Sequence, residues 1–323
     1  MENGEWKMKI VILDHPRENP GEIDWSALDR YDVTRYDVTK PEDAAKRLSG
    51  ADIAFINKTV LSRETLEKCP DLKLICVIAT GYNTVDTAAA RELGIDVCNV
   101  PSYGSEAIAQ HAIALLLEIT DHVAHHDSEV RKLRRSSDSD WCFWDYPSIE
   151  LAHKTIGIIG LGRIGRITAR IAIAFGMKVL AYDEYRSDKK HDDLRYTDLD
   201  TLLASSDVVA LHCPLTDKTE NIIDESAIAK MKHGAILINN SRGALVDENA
   251  LAEALNSGKL AGAGLDTVRT EPISADNPLL AAKNCFITPH ISWAALECRQ
   301  RLVDTAIENM EKWLEKNPQN VVN

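Results

Sequence analysis

Three residues with complementary chemistry, Arg242, Glu271 and His290, each follow a short apolar segment in the C-terminal part of the chain. These segments are typical of buried parallel strands and cover residues 235–238, 262–266 and 286–288. Because ligands of a doubly wound sheet bind at the carboxyl ends of its strands, we expect the three side chains to face one site. An imidazole can supply a proton, a carboxylate can fix its tautomer, and a guanidinium can polarise a carbonyl and grip an adjacent carboxylate. The set therefore suits carbonyl reduction, in which hydride addition creates an alkoxide that needs a proton.

A source for the hydride is indicated by residues 155–183. An apolar, β-branched strand leads into a glycine-rich turn, which opens a helical pattern closed by Gly176, and a second strand ends at Asp183. The turn consists of Gly160, Leu161, Gly162, Arg163, Ile164 and Gly165. Its glycines allow a sharp turn, close approach of a pyrophosphate and tight helix packing, and the helix N-terminus favours phosphate. The pattern predicts a dinucleotide-binding fold.

Asp183 indicates which dinucleotide is bound. It stands 18 residues after Gly165, where a carboxylate can bind the ribose 2′-hydroxyl and repel a 2′-phosphate. NAD is therefore expected as the cofactor. Arg186 and Lys189 lie just beyond and leave some use of NADP open.

Composition excludes several other classes of protein. The formal net charge is −13 and acidic residues flank the densest basic cluster, which argues against binding to nucleic acid or anionic membranes. The seven cysteines are scattered and contain no C-x-x-C pair, as is typical of reduced thiols in a cytoplasm. No apolar stretch is long enough for a signal peptide or a membrane span. We therefore expect a cytoplasmic protein.

The 323 residues favour two domains of ordinary size. Residues 1–100 alternate strand and helix but carry no cofactor fingerprint, so we assign them to a substrate-binding domain, completed by a C-terminal helix in 293–323. Residues 101–292 form the NAD-binding Rossmann domain, with about six parallel strands. The expected fold is α/β, with the Rossmann domain inserted in a smaller flavodoxin-like α/β domain. A breaker-rich stretch near 100 and a second point near 292 are predicted hinges that close a cleft over the substrate.

Several motifs resemble those of the D-isomer-specific 2-hydroxyacid dehydrogenase family. Arg242 in NNSRGALVD, Glu271 in LDTVRTEP and His290 in ITPHISWA are similar to the family's catalytic Arg, Glu and His. GLGRIG at 160–165 and HCPLT at 212–216 extend the resemblance over nearly the whole chain. The segments KTVLSRETL, ATGYNTVD, CFWDYPSIEL and HISWA look most similar to the glycerate dehydrogenase (hydroxypyruvate reductase) branch. The resemblance implies NADH-dependent reduction of hydroxypyruvate to D-glycerate. Glyoxylate, the pyruvate/D-lactate pair and other 2-oxo acids stay open as substrates, and an NADH-sensing binding protein is a distant alternative.

The resemblance also implies further site residues. Backbone N–H groups of the loop Thr80-Gly81-Tyr82 are expected to bind the substrate carboxylate, with Lys58, Trp293 and a neighbouring subunit's Trp144 as additional substrate contacts. Asp266 is expected to bind the nicotinamide amide or to brace Arg242. The remaining expected cofactor contacts are Cys213, Pro214, Thr219, Asn240 and Ser241, together with Arg242 and His290 themselves.

Two further clusters lead to separate predictions. The aromatic run Trp141–Tyr146 and an almost wholly apolar helix from Ser105 indicate a subunit contact, and by resemblance a homodimer, although the run could also line the active site. His122, His125 and His126 form H-x-x-H-H on a predicted helix. Zinc binding there is conceivable, but we interpret the cluster as a solvated helix face and predict no metal site.

Overall fold

The computed structural model describes residues 8–14, 22–132, 142–184 and 194–323. Arg186, Lys189 and Trp141 therefore lie outside the described residues. The chain divides into two compact units: unit 1 comprises Met1–Gly104 and Ala294–Asn323, and unit 2 comprises Ser105–Trp293.

Unit 1 is built on a five-stranded parallel sheet in the order β2-β1-β3-β4-β5. Its strands are β1 (Lys9–Ile12), β2 (Asp32–Arg35), β3 (Ile53–Ile56), β4 (Leu74–Val77) and β5 (Asp96–Cys98). Its helices are α1 (Pro41–Arg47), α2 (Arg63–Glu67), α3 (Thr87–Glu92) and, at the other end of the chain, α10 (Leu296–Leu314). A short 3-10 turn covers Ser26–Leu28.

Both faces of this sheet are buried, which explains why its inner strands are apolar without alternation. Val11 and Ala54 pack into a core that also contains Leu48 and Leu66 from the α1–α3 side. Residues of opposite orientation on the same strands pack with α10, whose apolar stripe at Leu302, Ala306 and Met310 has helical spacing. The C-terminal helix thus covers one face of the unit 1 sheet.

Unit 2 contains a seven-stranded parallel sheet in the order β12-β11-β10-β9-β6-β7-β8. Its strands are β6 (Thr155–Ile159), β7 (Lys178–Tyr182), β8 (Leu194–Tyr196), β9 (Val208–Leu211), β10 (Ala235–Asn239), β11 (Leu260–Leu265) and β12 (Cys285–Ile287). Its helices are α4 (Ser105–Asp121), α5 (Val123–Arg131), α6 (Arg163–Ala174), α7 (Leu199–Ser205), α8 (Glu225–Lys230) and α9 (Glu248–Ser257). Short 3-10 turns cover Gly243–Leu245 and Pro278–Ala281.

This order is that of a dinucleotide-binding sheet, with the reversal of strand order between β6 and β9. Helices α4 and α6 cover one face, and α7, α8 and α9 cover the other. Helix α4 approaches β11 closely because Gly262 and Gly264 have no side chains: a Cβ at these positions would lie 2.6 Å from Ile119 and 2.7 Å from Leu115. The predicted α/β class is confirmed.

Two edge strands were not predicted. β2 is largely exposed and carries the polar sequence DVTR, so it lacks the apolar run on which strand prediction depends. β8, with only three residues, has no buried position. The Rossmann sheet therefore has seven strands in the described part of the chain rather than about six.

The two sheets share a device at the start of their first strands. Asp207 accepts hydrogen bonds from the backbone N–H of Thr155 (2.8 Å) and from Lys232 Nζ (2.9 Å). Asp52 does the same for Lys9 N (3.0 Å) and Lys73 Nζ (2.7 Å). Burial alone would raise the pKa of each carboxyl, but these donors outweigh it and hold both pKa values below the usual range.

The Asp207 contacts predict a pH-dependent contribution to stability. Because the pKa is lowered in the folded state, the contribution is complete above the unfolded pKa of about 3.9 and is lost as pH falls through the lower folded value. We expect Asp207→Asn to reduce the free energy of urea unfolding by about 1–2 kcal/mol at pH 7, and the deficit to shrink below about pH 4. Asp200→Asn is the control, because the exposed Asp200–Lys230 pair should contribute less than about 1 kcal/mol. Equal effects of the two substitutions would contradict the account.

Candidate active site

The glycine-rich turn after β6 is shaped by close contacts between backbones. Gly160 has φ +93°, and a Cβ there would lie 2.4 Å from the backbone nitrogen of Cys213, which follows β9. At Gly165 a Cβ would lie 2.2 Å from the carbonyl oxygen of Gly160, so α6 packs directly on the turn. Around Gly162, by contrast, no atom lies within 4 Å of the Cβ position among the described residues. The turn is thus closely packed at Gly160 and Gly165, and it is open at Gly162, where a pyrophosphate would approach.

The N-terminus of α6 is left available to a ligand. The N-cap residues of helices α7, α8 and α9 are Asp198, Asp224 and Asp247, whose carboxylates accept N–H groups of the first turn. The N-cap residue of α6 is Gly162, which has no side chain that could do so. The N–H groups of the first turn and the positive end of the helix dipole suit a phosphate. These residues fit the dinucleotide that the sequence predicted.

Asp183 and the residues after β9 line the same end of the sheet. Asp183 follows β7, and its Oδ2 accepts the N–H of Leu161 at 2.6 Å, so the carboxylate lies against the glycine-rich turn. Thr219 Oγ1 donates to the carbonyl of Pro214 at 2.7 Å and accepts the N–H of Thr216 at 2.8 Å, which closes the loop behind Cys213. The expected cofactor residues of both loops therefore occupy the carboxyl ends of strands at the reversal of strand order.

The segment after β10 brings Arg242 beside the segment after β11. A Cβ on Gly243 would lie 1.9 Å from the carbonyl carbon of Val268, so only glycine allows the two backbones to meet. Ser241 Oγ donates to the carbonyl of Leu211 (2.7 Å), and Asn240 Nδ2 donates to the carbonyl of Ile108 (2.7 Å). These bonds fix the two residues that precede Arg242, while the Arg242 guanidinium is exposed and donates to the carbonyl of Ser241 at 2.8 Å.

His290 and Glu271 form a hydrogen-bonded pair. His290 Nδ1 lies 2.7 Å from Glu271 Oε2, and both side chains are partly exposed. A carboxylate accepts, so Nδ1 carries a proton, and Nε2 is the nitrogen that can hold or release a second proton. Among the described residues, Nε2 has no hydrogen-bond partner. The pair can therefore act as a proton donor at Nε2.

The loop that carries His290 is held by Asp266 at the end of β11. Asp266 is 1% exposed; its Oδ1 accepts from Thr288 Oγ1 (2.6 Å) and the N–H of Ile291 (2.8 Å), and its Oδ2 accepts from the N–H of Ser292 (2.7 Å). Within the described structure both oxygens thus brace the His290 loop and not Arg242, contrary to one of the two expectations for Asp266. Trp293 Nε1 donates to the carbonyl of His290 at 2.8 Å, so this indole closes the loop on the other side.

In unit 1 the two expected substrate loops follow β3 and β4. Asp14 Oδ2 accepts the backbone N–H groups of residues 57, 58 and 59, each at 2.9 Å, and so fixes the loop that exposes Lys58. Thr80 Oγ1 donates to the carbonyl of Val100 (2.8 Å), and the carbonyl of Thr80 accepts from Asn99 Nδ2 (2.7 Å). Gly81 and Tyr82 follow in an exposed stretch. Sequence reasoning missed Asp14 and Asn99, because neither lies in a recognisable motif.

The histidine cluster differs from the predicted solvated helix face. His122 breaks the helix with φ +49°, is 6% exposed and stacks on Tyr146 with ring centroids 4.3 Å apart. Burial lowers its pKa. His125 Nε2 lies 2.7 Å from Asp145 Oδ2, so the cluster fastens the segment 142–146 to α5. The described residues contain no grouping of three or more His, Cys, Asp or Glu side chains that could hold a metal ion.

The Trp144 side chain is 72% exposed, and Val123 and Val130 of α5 are exposed as well. None of the helices in the described ranges is both long and apolar enough to cross a membrane.

A parallel sheet with this strand order and glycine-rich turn is typical of dinucleotide-binding domains. A profile described as "D-isomer specific 2-hydroxyacid dehydrogenase, NAD binding domain" matches residues 113–292. The chain belongs to the D-isomer specific 2-hydroxyacid dehydrogenase family. This confirms the predicted family and NAD as the cofactor.

Individual relatives cover the whole chain. It is 54% identical over 323 residues to a hydroxypyruvate reductase from Blautia hydrogenotrophica, covering 98% of this chain and 100% of the relative. It is 42% identical over 317 residues to a glycerate dehydrogenase from Methylorubrum extorquens, covering 97% and 98% of the two chains. The D-lactate dehydrogenase of Escherichia coli is similar in structure, with a TM-score of 0.85, 31% identity and coverage of 98% and 100%.

Proposed function

We propose that the protein reduces hydroxypyruvate to D-glycerate, and that Arg242, Glu271 and His290 carry the reaction. The observation that carries the proposal is the His290–Glu271 pair at 2.7 Å, held at the end of the Rossmann sheet next to the Arg242 segment. The choice of hydroxypyruvate is supported by the names of the two relatives that are 54% and 42% identical. When bound, NADH supplies the hydride that adds to the keto carbon.

The three side chains have distinct proposed tasks. The Arg242 guanidinium binds the substrate carboxylate and polarises the keto group, because its planar fork of donors matches two oxygens at once. His290 donates the proton from Nε2 to the oxygen that becomes the hydroxyl. Glu271 stays ionised, accepts from Nδ1 and stabilises the imidazolium before the transfer. The products are then the 2-hydroxy acid and NAD⁺, and the neutral His290 takes up one proton from the solution.

The remaining expected contacts belong to the same proposal. The N–H groups of residues 80–82 and the ammonium of Lys58 bind the substrate carboxylate, and unit 1 is the substrate-binding domain. Residues 160–165, Asp183, Cys213, Pro214, Thr219, Asn240 and Ser241 hold the cofactor, and Asp266 braces the loop that carries His290. Trp293 covers the reacting end. The absence of cysteine pairs, among seven cysteines that are all described, supports a reducing compartment, and fractionation of cells would test a cytoplasmic location.

A substrate panel tests the proposed function. With NADH in excess, we expect kcat/KM to be higher for hydroxypyruvate than for glyoxylate, pyruvate and a branched 2-oxo acid. Pyruvate is the second candidate because of the structural similarity to a D-lactate dehydrogenase. A higher kcat/KM for any other member of the panel would replace hydroxypyruvate as the substrate. Tight NADH binding without turnover of any 2-oxo acid would instead favour a binding protein that senses NADH.

Substitution of the two proposed catalytic residues tests the mechanism. We expect His290→Gln and Arg242→Lys each to lower kcat/KM by about 100-fold or more, because proton donation and bidentate contact are lost. Fluorescence titration should give NADH affinities close to that of the wild type. His233→Gln and Arg91→Lys, at exposed positions to which the proposal assigns no role, are the matched controls and should keep wild-type rates. Wild-type turnover by either active-site variant would refute its assigned role.

We also propose a homodimer formed through α5 and residues 142–146. Val123 and Val130 are 63% and 58% exposed and Trp144 is 72% exposed, so these apolar side chains are available for a second copy to cover. Trp144 would then reach the neighbouring copy.

Sedimentation velocity at micromolar concentration should give a dimer, and Val130→Asp should shift it towards monomer. Val38→Asp is the control, because Val38 is equally exposed but lies in unit 1. A wild-type monomer would contradict the proposal.

A further inference from the structure

A histidine that the catalytic proposal does not use lies behind the Asp266 carboxylate. His111 is on α4, and its Nε2 lies 3.0 Å from Thr288 Oγ1 and 3.7 Å from Asp266 Oδ1. The three residues come from α4, from the end of β11 and from the segment after β12. They contact one another next to residues 291 and 292, which follow His290.

The donor and the acceptor in each hydrogen bond among His111, Thr288 and Asp266 follow from the number of protons available. Asp266 is ringed by donors, so its Oδ1 must accept from Thr288 Oγ1 at 2.6 Å. A hydroxyl has one hydrogen, and the alternative acceptor, the Leu265 carbonyl, is farther away at 3.4 Å. Thr288 Oγ1 can therefore only accept from His111, which requires a proton on Nε2 of His111. The imidazole thus acts as a donor that turns the Thr288 hydroxyl towards Asp266.

These hydrogen bonds hold the backbone on both sides of His290. Asp266 Oδ1 and Oδ2 accept the N–H groups of Ile291 and Ser292, the two residues that follow His290. On the preceding side, His290 N donates to the carbonyl of Thr288 at 2.9 Å. The backbone of His290 has φ +55°, in the left-handed region that residues other than glycine seldom adopt. Contacts with the surrounding structure hold it in this conformation.

We propose that His111 and Thr288 are positioning residues for the proton donor His290, acting through Asp266. Removal of the Thr288 hydroxyl would leave the buried Asp266 Oδ1 short of one donor and His111 without its acceptor. The Ile291 and Ser292 amides would then be held less firmly. As a result, His290 Nε2 would no longer be directed at the substrate oxygen, although Nδ1 would keep its contact with Glu271. The proposal rests on the proposed function, in which His290 donates the proton.

The first test compares three threonine substitutions. Thr288→Val keeps the shape and removes the hydroxyl, and we expect it to lower kcat for hydroxypyruvate by about 10- to 100-fold, since small displacements of reacting groups have effects of this size. The NADH dissociation constant should stay within about twofold. Thr288→Ser restores the hydroxyl and should recover most of kcat. Thr120→Val removes a buried hydroxyl from the same α4 helix as His111, so it should lower the thermal midpoint without lowering kcat.

The second test uses His111 and the double variant. His111→Leu should lower kcat as Thr288→Val does, whereas His111→Gln can place an amide donor near the position of Nε2 and should restore part of it. Because both residues act through one carboxylate, the double variant should be no slower than the slower single variant.

Three results would overturn the inference: wild-type kcat in Thr288→Val, equal loss of kcat in Thr120→Val, or multiplicative losses in the double variant. These results are distinguishable from a failure of the proposed function. If His290→Gln loses activity while Thr288→Val keeps it, only the positioning role falls. If His290→Gln keeps activity, the proposed function itself falls.

Discussion

A carboxylate can be buried without a large loss of free energy only where hydrogen-bond donors surround it, and Asp266 meets this condition with donors from a single loop. Two of its three donors are backbone amides of residues 291 and 292, and the third is the Thr288 hydroxyl. The hydrogen bonds that stabilise the buried carboxylate are therefore the same ones that position His290. Any rearrangement of the His290 loop would leave Asp266 with unpaired oxygens in the interior.

The second requirement is close approach between backbones at the carboxyl ends of the strands. Gly160 lies against Cys213, Gly165 against Gly160, and Gly243 against Val268, each at a distance that no side chain would allow. The first two contacts form the turn at the start of α6, and the third brings Arg242 beside the segment that leads to Glu271. The sheet thus supplies the general location, and three glycines supply the short distances within it.

Local patterns predicted much of this arrangement. The glycine-rich turn combines strand, turn, helix and a distal Asp183 within one segment, and the parallel sheet implied that residues after β10, β11 and β12 would share one edge. The edge strands β2 and β8 escaped prediction because an exposed edge needs no apolar run. The His122 cluster was misread because its burial depends on Tyr146, which reaches it from a segment beyond the helix. The hydrogen-bond donors of Asp266 could not be predicted from the sequence either, because tertiary contacts determine which donors lie near it. His111 gave one indication, because it and Gln110 are the polar side chains of an otherwise apolar run over residues 108–117.

In the proposed mechanism Arg242 and His290 contact the same substrate at the end of the Rossmann sheet. A crystal structure with NAD and oxalate, an inert mimic of a 2-oxo acid, measures this directly. We predict that oxalate oxygens lie within hydrogen-bond distance, about 2.7–3.2 Å, of both the Arg242 guanidinium and His290 Nε2, with the Glu271 contact at Nδ1 intact. Oxalate bound away from both side chains, or a His290 ring turned away from Glu271 in that complex, would contradict the account.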